Sequence, residues 1–217
     1  MTTEVKPEKD FTAIIAAAGR SRRYGSPKLL EVVPGQGLRL IEKVISQLLE
    51  AGVAHVVTVL GPSGQPPYNE IGRLAEKAGS TVVYVDPHPP EMIDSVKAGL
   101  RHYQAHLKHL PVKADHLLVM PADLPGISST YISKLMYESS LRKEQLVRGL
   151  TGAGRGVHPV AISSGLIEKI VESPMPHGLK SLWDDSLINR HEFLWDKPDV
   201  AHDLDFPQDW KNFTENR

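Results

Sequence analysis

The sequence predicts an α/β domain with a mainly parallel sheet, and three observations carry this. Short apolar runs alternate with amphipathic stretches along the whole chain. The first run, Phe11 to Ala18, is almost continuously apolar, as in a strand covered on both faces. Glycine or proline closes nearly every segment. A strand–helix–strand rhythm of this kind builds βαβ units.

Each element has its own signal. Gly19 stops the first strand. Leu40, Ile41, Val44, Ile45, Leu48 and Leu49 fall on one face of a helix, and Gly52 suits its end. His55 to Leu60 reads as a strand ending at Gly61-Pro62, and Asn69 to Ala78 as a helix ended by Gly79. Thr81 to Val85 reads as a strand stopped by Asp86-Pro87. Val96, Leu100, Tyr103, Leu107 and Leu110 form the apolar stripe of a longer helix, from about Ile93 to His109. His116 to Met120 is a fourth strand ending at Pro121. Ser128 to Ser139 is helical, with Ser128 or Ser129 as N-cap. After a loop at Thr151–Gly156, His158 to Ile162 suits a further strand. Short helices are expected over Ser164–Glu172 and Gly178–Leu187, and a last turn of helix over Gln208–Phe213.

The 217 residues suit one domain, 1–217, with residues 1–10 as a disordered tail. The chain has no cysteine, which excludes disulfides, thiolate metal sites and a cysteine nucleophile. Lys and Arg number 25 against 26 Asp and Glu, a net charge of −1, so a general nucleic-acid or membrane-surface binder is not expected. The polar start lacks the apolar core of a signal peptide, and a cytoplasmic protein is expected. Any metal then rests on oxygen or histidine ligands.

Ligands of parallel sheets sit outside the carboxyl ends of the strands, so the loops there are informative. The first runs Ala16-Ala17-Ala18-Gly19-Arg20-Ser21-Arg22-Arg23-Tyr24-Gly25-Ser26-Pro27-Lys28. Its small residues let backbone N–H groups approach an anion, and Arg20, Arg22, Arg23 and Lys28 supply positive charge with no acid between them. A polyphosphate is the simplest partner, and a solvated basic loop is the alternative. Asp123, just past the fourth strand, suits Mg²⁺ or a capped turn before Pro125. Asp203 and Asp205 point to the same side of an extended segment and can join it.

These residues resemble a family. Ala17-Ala18-Gly19, Ser21, Arg23, Gly25 and Lys28 are similar to the A-A-G-x-S-x-R-M-G-x-x-K signature of MobA/MocA-like nucleotidyltransferases, with Tyr24 for the methionine. Pro121-Ala122-Asp123-Leu124-Pro125 resembles the family's G-D-x-P metal motif, with Ala122 for the glycine. Asp203-Leu204-Asp205-Phe206-Pro207-Gln208-Asp209-Trp210 resembles its closing D-I-D-T-P-E-D-L. The motifs keep the family's order, and the resemblance runs from about Thr12 to Trp210.

The resemblance implies a three-layer α/β/α, Rossmann-like nucleotidyltransferase fold. It implies transfer of a nucleoside monophosphate from an NTP to a phosphorylated small-molecule acceptor such as molybdopterin, with release of pyrophosphate. Ala17-Ala18-Gly19 favours CTP, because a Gly-Gly start accompanies guanylyl transfer in that branch. It implies a nucleotide site of Ala17, Ala18, Gly19, Arg20, Ser21, Arg23, Lys28, Ser95 and Asp123. The resemblance further implies Arg23, Lys28 and Asp123 as the catalytic residues, and Asp123 and Asp205 as the Mg²⁺ ligands with Asp203 in support. Ser95 lies in a segment similar to G-M-x-x-S-L-x-x-G-L, with simple capping by Asp94 or Ser95 as the alternative. Arg155-Gly156-Val157-His158-Pro159-Val160 resembles the acceptor-side R-G-H-P-V, interrupted by Val157, and makes His158 the acceptor contact. Another acceptor, GTP as donor, and a nucleotide-binding regulatory protein without turnover stay open. His102, His106 and His109 read as a solvated helix face rather than a zinc site, and Trp183, Trp195 and Trp210 as core or rim residues.

Overall fold

The structure, a computed structural model, describes residues 10–87, 91–111, 113–195 and 206–215. Seven strands form one sheet: β1 (Asp10–Ala16), β2 (His55–Leu60), β3 (Thr81–Tyr84), β4 (Lys113–Pro121), β5 (Leu146–Leu150), β6 (Val160–Ser163) and β7 (Arg190–Leu194). Their spatial order is β3-β2-β1-β4-β6-β5-β7. β6 alone runs antiparallel to its neighbours β4 and β5. The helices are α1 (Leu40–Glu50), α2 (Tyr68–Lys77), α3 (Met92–His106), α4 (Ser129–Ser140), α5 (Ile167–Glu172), α6 (Lys180–Trp183) and α7 (Pro207–Glu215). Among the described residues no helix is long and apolar enough to cross a membrane.

Two apolar layers flank the sheet. Along β1, Phe11, Ala13 and Ile15 join the layer under α1, α2 and α4, while Ile14 and Ala16 join the layer under α3, α5 and α6. That division explains the unbroken apolar run: both faces of a central strand are covered. In α1, Leu40, Ile41, Val44, Ile45 and Leu48 are all buried, as their period requires. The α3 helix lies close on the sheet at Gly99, where a Cβ would fall 2.5 Å from Ile14 Cγ2.

Two strands escape the sequence pattern. β5 has only Leu146 and Val147 as apolar signal before Arg148 and Gly149. Arg148 is accommodated because Glu192 on the paired strand β7 takes its Nε at 2.8 Å. β7 is a sheet edge, and Phe193 is its one buried residue. Neither strand needs an apolar run, so the propensity signal is weak. Several boundaries also differ from expectation. The long helix ends at His106, with turns continuing to Lys108 and His109. Residues 164–172 begin as a 3₁₀ turn at Ser164–Leu166, and the helix expected over Gly178–Leu187 is the single turn α6. His158 and Pro159 precede β6 rather than belonging to it. The N-cap of α4 is Ser128, whose Oγ accepts from Tyr131 N at 3.3 Å.

Candidate active site

The parallel strands β1, β2, β3 and β4 all deliver their following loops to one edge of the sheet. There a cleft of about 550 Å³ opens. Residues Ala16 to Tyr24 with Lys28 and Leu29 form one side, Pro121 to Asp123 the floor, and Glu91, Met92 and Ser95 the far wall.

The loop after β1 is held by its own network of hydrogen bonds. Ala17 N donates to Val59 O at 2.9 Å, which extends the sheet pairing one residue past the strand. Tyr68 Oη donates to Ala18 O at 2.9 Å, and Tyr68 also hydrogen-bonds the Arg20 side chain. Gly61 leaves room for this ring, since a Cβ there would meet Tyr68 Cε2 at 2.3 Å. Ser21 adopts φ +48°, an uncommon conformation for a residue with a side chain. Its carbonyl accepts from both Tyr24 N and Gly25 N, at 3.1 and 3.0 Å. Its Oγ accepts from Lys28 N at 3.4 Å, closing the loop. Gly19, Arg20, Arg22 and Arg23 are exposed, while Tyr24 is buried.

Lys28 and Asp123 meet across 95 positions of sequence. Lys28 Nζ lies 2.5 Å from Asp123 Oδ2, with the two side chains only 13% and 20% exposed. Ala122 N donates to Ala16 O at 3.1 Å, so the Asp123 loop is tied to the end of β1. The basic loop and the acidic loop thus form one site.

Ser95 is buried and lines the far wall. The capping alternative considered for Asp94 or Ser95 is corrected: Glu91 is the N-cap of α3, and its backbone N donates to Asp94 Oδ2 at 3.1 Å. Two carboxylates at this helix start disfavour a phosphate there. His158 is placed near Asp123, with its ring bonded to the Val119 backbone and Nδ1 buried without a hydrogen-bond partner. Burial lowers its pKa, more than the Val119 bond and the Asp123 charge raise it. Asp203 and Asp205 lie outside the described residues. Among the described residues no three His, Asp or Glu side chains gather as a metal site, although the His102 and His106 rings lie 4.6 Å apart.

Two contributors carried no sequence signal. Tyr68 reaches the loop from α2, 50 positions away. Arg148 stacks its guanidinium 3.8 Å over Trp183 and sits within electrostatic reach of His158. Only the sheet order brings these residues together. Trp183 and Trp195 are buried, as expected of core residues.

Fold and site together define an α/β domain whose parallel-strand edge pairs a basic glycine loop with a carboxylate. Residues 13–191 match the MobA-like NTP transferase domain, and the chain belongs to that family. It is 31% identical over 135 residues to a molybdenum cofactor guanylyltransferase of Xanthomonas euvesicatoria pv. vesicatoria, covering 62% of this chain and 58% of that one. The match therefore spans little more than half of that relative. It is 30% identical over 167 residues to nicotine blue oxidoreductase of Paenarthrobacter nicotinovorans, covering 71% and 72%. The fold is shared with the Rv0371c homologue of Mycobacterium sp. strain JC1, with a TM-score of 0.75, 22% identity and 95% and 96% coverage. It is shared too with Rv0371c of Mycobacterium tuberculosis H37Rv solved with manganese, with a TM-score of 0.69, 18% identity and 96% and 100% coverage.

Proposed function

We propose that this protein transfers a nucleoside monophosphate from an NTP to a phosphorylated small-molecule acceptor and releases pyrophosphate. The observation that carries this reading is the Lys28–Asp123 pair at the base of the cleft, under a loop bearing three arginines. Such a site joins the two charge signs that a metal–triphosphate complex needs. The attacking group is an acceptor phosphate oxygen, already anionic near neutral pH. Its bond to the α-phosphorus forms as the bond from the α-phosphorus to the bridging oxygen breaks, and the electron pair leaves on pyrophosphate. No general base is required, so positioning and charge neutralisation supply the catalysis. Arg23 and Lys28 hold the triphosphate and the leaving pyrophosphate, with the N–H groups of Ala17, Ala18, Gly19, Arg20 and Ser21 beside them.

The donor set fits Mg²⁺, which is held by one or two carboxylates together with substrate phosphates. Asp123 is the described carboxylate that would hold it, with Asp205 and Asp203 as its proposed partners. Bound there, the ion would neutralise charge developing on the phosphates. His158 is proposed to face the acceptor.

The donor base and the acceptor follow from similarity. Ala17-Ala18-Gly19 favours CTP, while the named guanylyltransferase relative favours GTP. Both associations support a molybdopterin-type acceptor. Pyrophosphate release, measured with each of CTP, GTP, UTP and ATP, Mg²⁺ and molybdopterin, tests the reading. Release with CTP supports the cytidylyl form, and release with GTP the guanylyl form. The oxidoreductase relative favours a second reading, in which this cleft serves a redox reaction. Binding of nucleotides with no pyrophosphate release would favour a regulatory protein without turnover.

A further inference from the structure

We propose that His102 and His106, one turn apart at the C-terminal end of α3, form a second metal site, which takes a divalent transition-metal ion of square-planar preference and holds Cu²⁺ best. The site is independent of the nucleotidyl-transfer reading. α3 starts at Met92 in the cleft wall, and His102 lies ten residues further on, about 15 Å along the helix axis.

Residues four apart on a helix share a face, one above the other. The two rings follow this rule, with centres 4.6 Å apart and planes inclined by 42°. A metal–imidazole nitrogen bond is about 2.0 Å long, so each ring centre lies roughly 3.2 Å from a shared ion. Two rings at a right angle about that ion are then about 4.5 Å apart, and two at the tetrahedral angle about 5.2 Å. The observed separation fits the right angle. Geometry therefore favours square-planar Cu²⁺ or Ni²⁺ over tetrahedral Zn²⁺, and Cu²⁺ stands above Ni²⁺ in intrinsic affinity.

The pair is open to an incoming ion, since His106 is exposed and His102 half-buried. Burial lowers the pKa of His102, and the neighbouring His106 lowers it further. His102 is thus a neutral imidazole near neutral pH, which is the form that binds metal. Among the described residues no third His, Asp or Glu joins the two rings, so water completes the coordination. The lack of a carboxylate separates this site from the cleft. Mg²⁺ and Mn²⁺ prefer oxygen ligands and are expected at Asp123 instead. α3 ends at His106, so an ion bridging the two rings also ties down its last turn.

The test is Cu²⁺ binding to the full chain, by isothermal titration calorimetry and electron paramagnetic resonance, with excess Mg²⁺ present to occupy carboxylates. Wild type is expected to bind one Cu²⁺ in preference to Ni²⁺, with nitrogen hyperfine structure from two imidazoles and a raised Tm. His102→Gln and His106→Gln should each weaken binding by on the order of 10- to 100-fold, as loss of even an outer partner of a metal ligand does. Each should also reduce the signal to one imidazole. His109→Gln, beyond the end of the helix, should leave affinity and spectrum unchanged. Circular dichroism checks each fold, and His106 is exposed enough for its variant to serve alone if His102→Gln unfolds. Wild-type Cu²⁺ affinity in the His106 variant, or a spectrum without two nitrogen ligands in wild type, would overturn the site and leave the transferase reading untouched.

Discussion

At the scale of single residues, Lys28 and Asp123 concentrate the chemistry. Lys28→Ala should lower kcat by about 10²-fold or more, as loss of one preorganised charge-stabilising group does. Steady-state pyrophosphate release measures this, and an unchanged kcat would remove Lys28 from the catalytic set. Asp123→Ala should abolish turnover with the circular dichroism spectrum unchanged. Tyr68 is a different case, since it touches the loop and not the reaction. Tyr68→Phe deletes the bond to Ala18 O, which should cost about 1 kcal/mol of stability and raise KM for the nucleotide more than it lowers kcat. Lys28 and Asp123 were both readable in the sequence because their loops carry motifs. Tyr68 was not readable, because nothing local marks a tyrosine whose partner lies 50 positions away.

Among the elements, legibility followed apolar and β-branched composition. β1, β2 and β4 stand out as apolar runs because they are central strands, whereas β5 and β7 do not. β5 carries Arg148 inside the sheet by pairing it with Glu192, and β7 buries one residue of five. A strand supported by a cross-strand ion pair leaves a weak period-two signal, whereas the edge strand β3 was legible from its run Thr81-Val82-Val83. The antiparallel sense of β6 was equally hidden, since direction depends on which neighbours a strand meets. In α3, the short distance between Gly99 and Ile14 sets a clear test. Gly99→Ala should destabilise the domain by about 1–3 kcal/mol through overpacking, despite the better helix propensity of alanine. Urea unfolding measures it, and a stabilised variant would show that α3 can shift from the sheet.

For the whole molecule, the buried Glu138 of α4, paired with the more exposed Lys134 and Arg142, links stability to pH. Burial raises the pKa of Glu138, but its bonds to Lys134 and Arg142 outweigh this and hold it below the usual carboxylate value. A carboxylate with a lowered folded pKa adds stability above its unfolded pKa and loses it as pH falls through the folded value. Glu138→Gln should therefore lower Tm at pH 7, and the gap from wild type should close as pH drops below about 4.5. A gap independent of pH would assign the effect to packing instead. The sequence by itself determined the class of fold, the order of the loops and the residue types that a phosphate and a cation require, because each is written in local pattern. Only the tertiary structure decided that Lys28 stands against Asp123 and that Tyr68 braces the cradle. Those outcomes depend on strand order and on contacts between residues far apart in the chain, and local pattern does not encode them.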